Sequence, residues 1–165
     1  MEKQQEIVKN ISISPNYMDE NIIKNVIYIL KNKYEKTCEE DYGLIMTIDS
    51  IKDIQNVISK DSCSIIFEIT FIATTIKPEK NMSISFVPTL ILPKGIFGKL
   101  YDNINLFIPE SSIISKGWVY KEDSFIFSNK EKEKEKKIDK KTKIDVLIKD
   151  IKFNTNKYNC ICDLK

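Results

Sequence analysis

The sequence contains no histidine and no arginine, so all 26 of its positively charged residues are lysines. Without histidine, the chain lacks the usual general base near neutral pH and the commonest metal ligand. Without arginine, bidentate clamping of phosphate groups is excluded, and phosphate contacts fall to lysine or to the backbone. Glycine is scarce, at four residues, and no phosphate-binding loop is present. We therefore expect a protein that is not an enzyme and that holds no metal and no cofactor.

The cysteines lack the usual spacing of metal sites, because no two of them form a C-x-x-C pair. They are Cys38, Cys63, Cys160 and Cys162, and the last two have the spacing that places both thiols on one face of a strand. A metal or redox site is one interpretation, but the missing histidine favours buried, reduced thiols. No apolar run approaches the roughly 20 residues of a membrane span. We expect a soluble, intracellular protein with no membrane partner.

The first half of the chain has the pattern of a small α+β domain. Alternating apolar residues predict strands, and apolar positions at 3.6-residue spacing predict one amphipathic helix. The expected order is strand, helix, strand and strand, over Glu6–Pro15, Glu20–Tyr34, Tyr42–Ile48 and Ser64–Ile76. The mixed segment Lys52–Lys60 is interpreted as a connection, with a short helical turn as one option. The polar run Lys77–Asn81 predicts a boundary, which gives an N-terminal domain over residues 1–79.

The second half has almost no helical periodicity and predicts an all-β domain over residues 80–165. Its apolar runs predict strands over Met82–Leu92, Ile96–Tyr101, Ile104–Ile108, Trp118–Phe127, Lys143–Phe153 and Tyr158–Leu164. Five or six short strands in a segment of this length are typical of a small barrel. The single interruption, Pro109–Ile113, falls after the third strand, where an OB-fold has its connecting helix.

One segment carries the excess positive charge, namely a Lys/Glu-rich loop predicted over residues 130–141. It has seven lysines against three glutamates and one aspartate, and it lacks a hydrophobic face. Such a segment can touch phosphate groups, but alternating charge is more typical of a solvated hairpin tip, and we favour that interpretation. The rest of the chain is close to neutral, which is weak support for nucleic-acid binding.

Three local patterns, taken in order, resemble the larger stalk subunit of archaeal and eukaryotic DNA-directed RNA polymerases. The first is Ile11–Tyr17, a strand that ends in a proline and an aromatic residue before a long helix. The second is Tyr34–Ile45, a polar turn that reaches the pair Tyr42-Gly43 and then a strand. The third is Phe71–Lys80, a strand followed by a Lys-Pro hinge. The order and spacing of these patterns carry the resemblance.

The second half extends the resemblance, because Gly95–Phe97 and Asn105–Ile113 are similar to the RNA-binding pattern of an OB-fold. It departs from the pattern at Asn105, where many relatives have glycine, and at Pro88 in the first barrel strand. The composition is also rich in isoleucine, asparagine and lysine, as in an AT-rich genome. These departures suggest a fast-evolving lineage such as a large DNA virus, in which the protein would enter the virion.

The resemblance implies an α+β tip domain followed by an OB-fold barrel. It also implies a non-catalytic subunit, in the nucleus or cytoplasm, that docks on the large subunits of a polymerase core. A smaller stalk subunit would be a further partner. Docking would use two tip loops that we expect at one end of the first domain, through Pro15, Asn16, Tyr17, Tyr42, Gly43 and Leu44. The same residues would equally suit a core.

Alternation along the second barrel strand predicts an RNA-binding face. Phe97, Lys99 and Tyr101 share one side of this strand, and the lysine indicates that this side faces solvent. Aromatic rings with a lysine between them are typical of surfaces that bind single strands. With Phe107, they are candidates for weak, sequence-tolerant contact with single-stranded RNA, although the rings also suit a barrel interior. Two other classes remain open: a free-standing OB-fold RNA-binding protein or translation factor, and a protein-interaction module.

Overall fold

The computed structural model describes residues 2–17, 19–58, 65–127 and 136–165. The chain divides into two compact units, one that ends at Lys77 and one that begins at Pro78. The first contains β1 (Glu2–Ile13), a 3-10 helix (Pro15–Tyr17), α1 (Ile22–Tyr34), β2 (Cys38–Glu39), β3 (Gly43–Ile58) and β4 (Ile65–Ile76). The second contains β5 (Ser83–Phe86), β6 (Pro88–Leu92), β7 (Gly95–Leu100), β8 (Ile104–Pro109), α2 (Glu110–Ile114), β9 (Trp118–Lys121), β10 (Ser124–Phe127), β11 (Lys136–Ile138), β12 (Ile144–Asn154) and β13 (Lys157–Leu164). None of the described helices is long and apolar enough to cross a membrane.

The first unit is an antiparallel sheet of four strands with α1 packed on one face. The strand order is β1-β4-β3-β2, and β1 pairs with β4 over all twelve of its residues. Because side chains alternate along β1 and β4, their apolar residues share the face toward α1 and are buried with Val26 and Leu30 of the helix: Ile7, Ile11, Ile13, Phe67, Ile69, Phe71 and Ala73. Removal of this apolar surface from water is the main force that holds the unit together. The predicted α+β fold of this half is confirmed.

Strand β3 is longer than predicted, because the segment Lys52–Lys60 is not a helical turn as far as it is described. The strand runs without a break from Gly43 to Ile58. Its pairing with β4 contains three register shifts, each of which adds one residue to β3. A bulge of this kind converts the two-residue period of a strand into a local spacing of three. The isoleucines that face the core are therefore three apart, a spacing that resembles a helix: Ile45, Ile48, Ile51 and Ile54.

The second unit is a closed barrel with the topology of an OB-fold. Six strands pair in the order β5-β12-β13-β8-β7-β6, and β5 and β6 are one chain segment interrupted only at Val87. This bent first strand therefore closes the sheet on itself, since its halves pair with β12 and with β7. Strands β8 and β13 run parallel, and α2 follows the third strand as predicted. The predicted OB-fold is confirmed.

A three-stranded sheet, β11-β10-β9, was not expected from the sequence. The segment Trp118–Phe127 is two strands joined by a turn at Glu122 and Asp123, whose φ angles are 47° and 55°. Left-handed turns of two residues usually contain glycine or asparagine, so this one lacked a signal. Part of the predicted loop 130–141 is strand β11, which is anchored by the buried Ile138. The remainder of that loop up to residue 135, and Cys63, lie outside the described residues.

Candidate nucleic-acid interface and docking surface

An apolar row crosses the outer face of the barrel. The strand registers place Leu90 beside Phe97, Phe97 beside Phe107, and Phe107 beside Ile161, on four neighbouring strands. The rings of Phe97 and Phe107 stack with their centroids 4.5 Å apart and their planes at 30°. Phe97 keeps 37% of its surface exposed. Exposed aromatic surface therefore lies on the strands that bind oligonucleotides in OB-folds.

A polar row runs beside the apolar one, two residues further along the strands. The registers align Lys99 with Asn105, Asn105 with Asn159, and Asn159 with Lys152. The amide Nδ2 of Asn105 donates a hydrogen bond to Oδ1 of Asn159 at 2.9 Å. Four strands about 4.8 Å apart place the two lysines roughly 14 Å from each other, one at each end of the row.

Apart from Leu90, the residues of the two rows line one open groove of about 460 Å³. Among the described residues that line it, none is an aspartate or a glutamate, whereas two are lysines. Base stacking on aromatic rings and phosphate pairing with ammonium groups are the two contacts by which proteins hold single strands without reading sequence. The groove supplies both contacts on adjacent rows.

Three of the four predicted RNA-binding residues line this groove, namely Phe97, Lys99 and Phe107. The fourth, Tyr101, is 42% exposed but lies beyond the end of β7, where its φ of 51° ends the alternation of the strand. Sequence reasoning missed the groove residues contributed by β8, β12 and β13, which are Asn105, Lys152, Asn159 and Ile161. Alternation with the buried residues of β13 indicates that Asn159 and Ile161 face outward, but only the strand order shows which strands adjoin.

The described cysteines are buried and free of disulfide bonds. Cys160 and Cys162 alternate with exposed residues of β13 and turn into the barrel. Burial raises the pKa of the Cys160 thiol to about 12 and that of Cys162 to about 11. Burial likewise raises the pKa of Cys38 in the first unit to about 11. The described residues contain no cluster of three or more aspartate, glutamate, cysteine or histidine side chains suited to a metal ion.

The segment Pro15–Tyr17 presents an aromatic ring at the end of β1. Tyr17 is 52% exposed, and Asn16 is exposed beside it. The side-chain amide of Asn25, in α1, donates hydrogen bonds to the carbonyl oxygen of Tyr17 at 3.2 Å and to Asp19 Oδ1 at 3.0 Å. These bonds tie the loop to the first turns of the helix, so Tyr17 is exposed on a defined support.

The segment Tyr42–Leu44 is largely buried. Leu44 is 2% exposed, and a side chain at Gly43, whose φ is +89°, would lie 2.5 Å from the carbonyl oxygen of Ile76. Tyr42 is half-buried against the core. Its ring lies 5.3 Å from the ammonium group of Lys9, which also contacts the Tyr34 ring at 5.5 Å. Tyr42 is thus the member of this set with side-chain surface left to offer a partner.

The two predicted tip loops lie at opposite ends of the sheet, so the expectation that they share one end was wrong. Ile13, next to the first loop, pairs with Ile65, at the start of β4. Leu44, next to the second loop, pairs with Ile76, at the end of β4. The twelve residues of β4 separate these ends by about 36 Å, at about 3.3 Å per residue. Sequence adjacency to the same helix gave no sign of this separation.

One known protein family matches the sequence of the first unit. Residues 8–68 match the family described as the SHS2 domain found in N terminus of Rpb7p/Rpc25p/MJ0397. Over these residues, the first unit is similar to the SHS2 domain of Rpb7-type proteins. The match begins in β1 and ends in β4, and it includes all six predicted docking residues. No curated protein sequence matches the chain.

The SHS2 match confirms the resemblance to the stalk subunit that the sequence patterns indicated. At the level of the family, it supports a subunit of an RNA polymerase stalk. The order of an SHS2 unit followed by an OB-fold barrel is the domain order that the resemblance implied.

Proposed function

We propose that the protein is a non-catalytic stalk subunit of a multisubunit DNA-directed RNA polymerase. The first unit docks on the large subunits of the core enzyme, and the barrel contacts nascent RNA during transcription. The observation that carries this proposal is the match of residues 8–68 to the SHS2 domain of Rpb7-type proteins. The role places the protein where transcription occurs, in the nucleus or the cytoplasm. A smaller stalk subunit is a second partner in this proposal.

The docking anchor is Tyr17, because it combines exposure with a fixed support. An exposed aromatic ring held by a hydrogen-bonded loop loses little conformational entropy when a partner covers it. Aromatic residues of this kind dominate the binding energy of protein interfaces. Asn16 and Pro15 complete the loop, whereas Tyr42 is a weaker candidate because part of its ring already packs on the core.

The barrel contacts RNA through the groove of the two rows. Bases stack on Phe97 and Phe107, and the backbone passes Lys99 and Lys152 at the ends of the polar row. Both contacts tolerate any base, because every base has an aromatic face and every nucleotide has a phosphate. With lysine alone for phosphate contact, we expect affinities that are micromolar or weaker. We also expect a shallow slope of log affinity against log salt, about 1–3, since each neutralised phosphate adds roughly 0.7.

Affinity capture with mass spectrometry tests the proposal. The tagged chain is expressed in its own host, and recovery of the large polymerase subunits is compared among wild type, Tyr17→Ala and Tyr28→Ala. Tyr28 is a matched control, since it is 68% exposed on the solvent side of α1. We expect Tyr17→Ala to lower recovery by about tenfold, which corresponds to about 1.4 kcal/mol, and Tyr28→Ala to leave it unchanged.

Two outcomes would contradict parts of this proposal. Recovery of no polymerase subunit with the wild-type chain, together with intact RNA binding, would identify a free-standing OB-fold RNA-binding protein instead. Equal recovery with Tyr17→Ala and wild type would remove Tyr17 as the anchor. A Tyr42→Ala variant then tests the other end of the sheet.

A further inference from the structure

We propose that a second cleft of the barrel unit binds one nucleotide of a single-stranded nucleic acid, with its base on Trp118 and its phosphate among four lysines. This inference deepens the proposed RNA contact and rests on it. The cleft has a volume of about 380 Å³ and lies between the three-stranded sheet and the ends of β12 and β13. It shares no lining residue with the groove of the two rows.

The aromatic part of the cleft is a ledge built across the three-stranded sheet. The registers align Trp118 with Phe127 and Phe127 with Lys136, on β9, β10 and β11. The rings of Trp118 and Phe127 lie 5.5 Å apart at 49°, so Phe127 supports the indole from one side. Trp118 is half-buried, which leaves part of its ring for a ligand. Tryptophan offers the largest flat surface among side chains for stacking a base.

Beneath this ledge, the cleft has an apolar floor. Ile138, Ile144 and Leu164 line it, and all three are buried. An apolar floor with a flat ring favours a ligand that has a planar, poorly hydrated part, such as a nucleobase. A free inorganic anion would gain nothing from these residues.

The rim of the cleft is strongly basic. Its lysines are Lys136, Lys137, Lys143 and Lys165. Within the described part of the chain, none of the four makes an ion pair, whereas the one carboxylate of the cleft, Asp145, accepts a hydrogen bond from Ser85. A chain with a net charge of only +2 thus places four lysines along the cleft that Trp118 lines. That arrangement attracts phosphate while the ring stacks the base.

The position of the cleft suits a strand that also occupies the first groove. Ile161 lines the groove and Lys165 lines the cleft, four residues apart in sequence and roughly 13 Å apart along β13. The acidic residue between them, Asp163, is paired with Lys149 at 3.5 Å. A single strand of a few nucleotides therefore meets no unpaired carboxylate of β13 on the way from one site to the other.

The sole tryptophan of the chain gives a direct test, because the intrinsic indole emission reports on this cleft alone. The full-length protein is titrated with a single-stranded RNA of about ten nucleotides, with adenosine 5′-monophosphate and with inorganic phosphate, while anisotropy of a labelled RNA follows total binding. We expect RNA to quench Trp118 as it binds and phosphate to leave the emission unchanged. Quenching by the mononucleotide at similar concentrations would show that the cleft takes free nucleotides, and quenching by RNA alone that it takes a strand.

Paired variants identify the residues. Lys143→Ala with Lys165→Ala should weaken the quenching titration about tenfold, and it should lower the slope of log affinity against log salt by at most about 0.7, the share of the one phosphate that the cleft holds. Lys94→Ala with Lys157→Ala is the matched control, since these exposed lysines of the same unit line neither site. For the ring, Trp118→Leu should lower RNA affinity measured by anisotropy about tenfold, and Trp118→Phe should restore most of it.

The outcome separates this inference from the proposed function. If RNA binds by anisotropy without quenching Trp118, or if the lysine pair and its control behave alike, the second site is refuted while the first groove stands. If Phe97→Ala with Phe107→Ala leaves RNA affinity unchanged but quenching persists, the cleft is the RNA contact and the groove assignment fails. A sample that binds no RNA by either measurement refutes both.

Discussion

Both units place lysines beside aromatic rings, but the two arrangements differ in what they leave unsatisfied. In the first unit, Lys9 lies within 5.5 Å of the rings of Tyr34 and Tyr42, and its ammonium group is paired with Glu39 at 2.5 Å. In the barrel, Lys99 and Lys152 flank a stacked pair of phenylalanines, and no described carboxylate lines the groove. The lysine of the first unit is therefore already paired with a carboxylate, whereas the lysines of the groove lie where no described carboxylate does.

The outer faces of the two sheets repeat this difference. On the first sheet, Lys52 pairs with Glu6, and Asp49 accepts hydrogen bonds from Thr47 and Thr74. These exposed polar groups thus find partners within the sheet. A surface whose charges are internally paired contributes little to ligand binding, because a ligand must first displace those partners. The comparison therefore favours the barrel, rather than the outer face of the first sheet, for the proposed nucleic-acid contact.

The largest expected effect comes from removing the two aromatic rings of the barrel groove. Phe97→Ala with Phe107→Ala should lower affinity for single-stranded RNA by about tenfold or more, since stacking contributes about 1–3 kcal/mol per base. Fluorescence anisotropy at fixed salt measures it. The salt dependence should barely change, because stacking releases no counterions.

A matched pair in the first unit controls this result. Tyr17→Ala with Tyr28→Ala also removes two exposed rings, and it should leave RNA affinity unchanged. Tyr101→Ala should have little effect as well, since Tyr101 does not line the groove. An equal loss in the tyrosine pair would mean that the first unit shares the RNA contact.

The second prediction concerns the closed cluster of the first unit, which consists of Lys9, its carboxylate partner Glu39 and the rings of Tyr34 and Tyr42. Tyr42→Ala removes a half-buried ring and one of the two rings beside Lys9, so it should lower the free energy of unfolding of the first unit by about 1–2 kcal/mol. Urea denaturation followed by far-ultraviolet circular dichroism measures the change. Emission from Trp118, in the second unit, should keep its own transition. Tyr28→Ala is the control, and a Tyr42→Ala protein as stable as wild type would contradict the closed cluster.

The third prediction concerns lysines on the two outer faces. Lys99→Ala and Lys152→Ala should each lower the slope of log affinity against log salt by about 0.7, the share of one phosphate on a single strand. Lys52→Ala should not alter the slope, because its ammonium group is paired with Glu6. Identical slopes for all three variants would place the phosphate contacts elsewhere on the barrel.

Much of the fold could be predicted from the sequence because burial repeats with the period of the element. The alternation in β1 and β4 and the 3.6-residue spacing in α1 are both local signals, and each was interpreted correctly. The length of strand β3 was not predicted, since three bulges gave its core-facing isoleucines a spacing of three. The hairpin β9–β10 was not predicted, because Glu122 and Asp123 adopt left-handed turn angles without glycine or asparagine.

The candidate sites were harder to predict, because they depend on which strands adjoin. Phe97 and Lys99 lie on one strand, so alternation alone placed them on one face. Asn159 and Lys152 come from the last two strands, and only the parallel pairing of β13 with β8 brings them beside Asn105. The separation of the Tyr17 and Tyr42 loops is likewise a consequence of antiparallel registers, which no short motif encodes.

The smallest expected effect concerns the hydrogen bonds of Asp49 on the outer face of the first sheet. Hydrogen bonds from the hydroxyl groups of Thr74 and Thr47 lower the pKa of Asp49. Because the pKa is lower in the folded state than in the unfolded state, this stabilisation is fully present above the unfolded pKa of about 3.9 and is lost as pH falls through the folded pKa. Asp49→Asn should therefore lower the urea midpoint slightly at pH 7, and the difference from wild type should shrink as the pH falls below about 4.

In the barrel, Lys80 lowers the pKa of Asp150 through an exposed ion pair at 2.7 Å, so the effect of Asp150→Asn should also shrink in high salt. The effect of Asp49→Asn should persist in salt, because its main partners are neutral; equal salt sensitivity in the two variants would show that the faces are not stabilised differently.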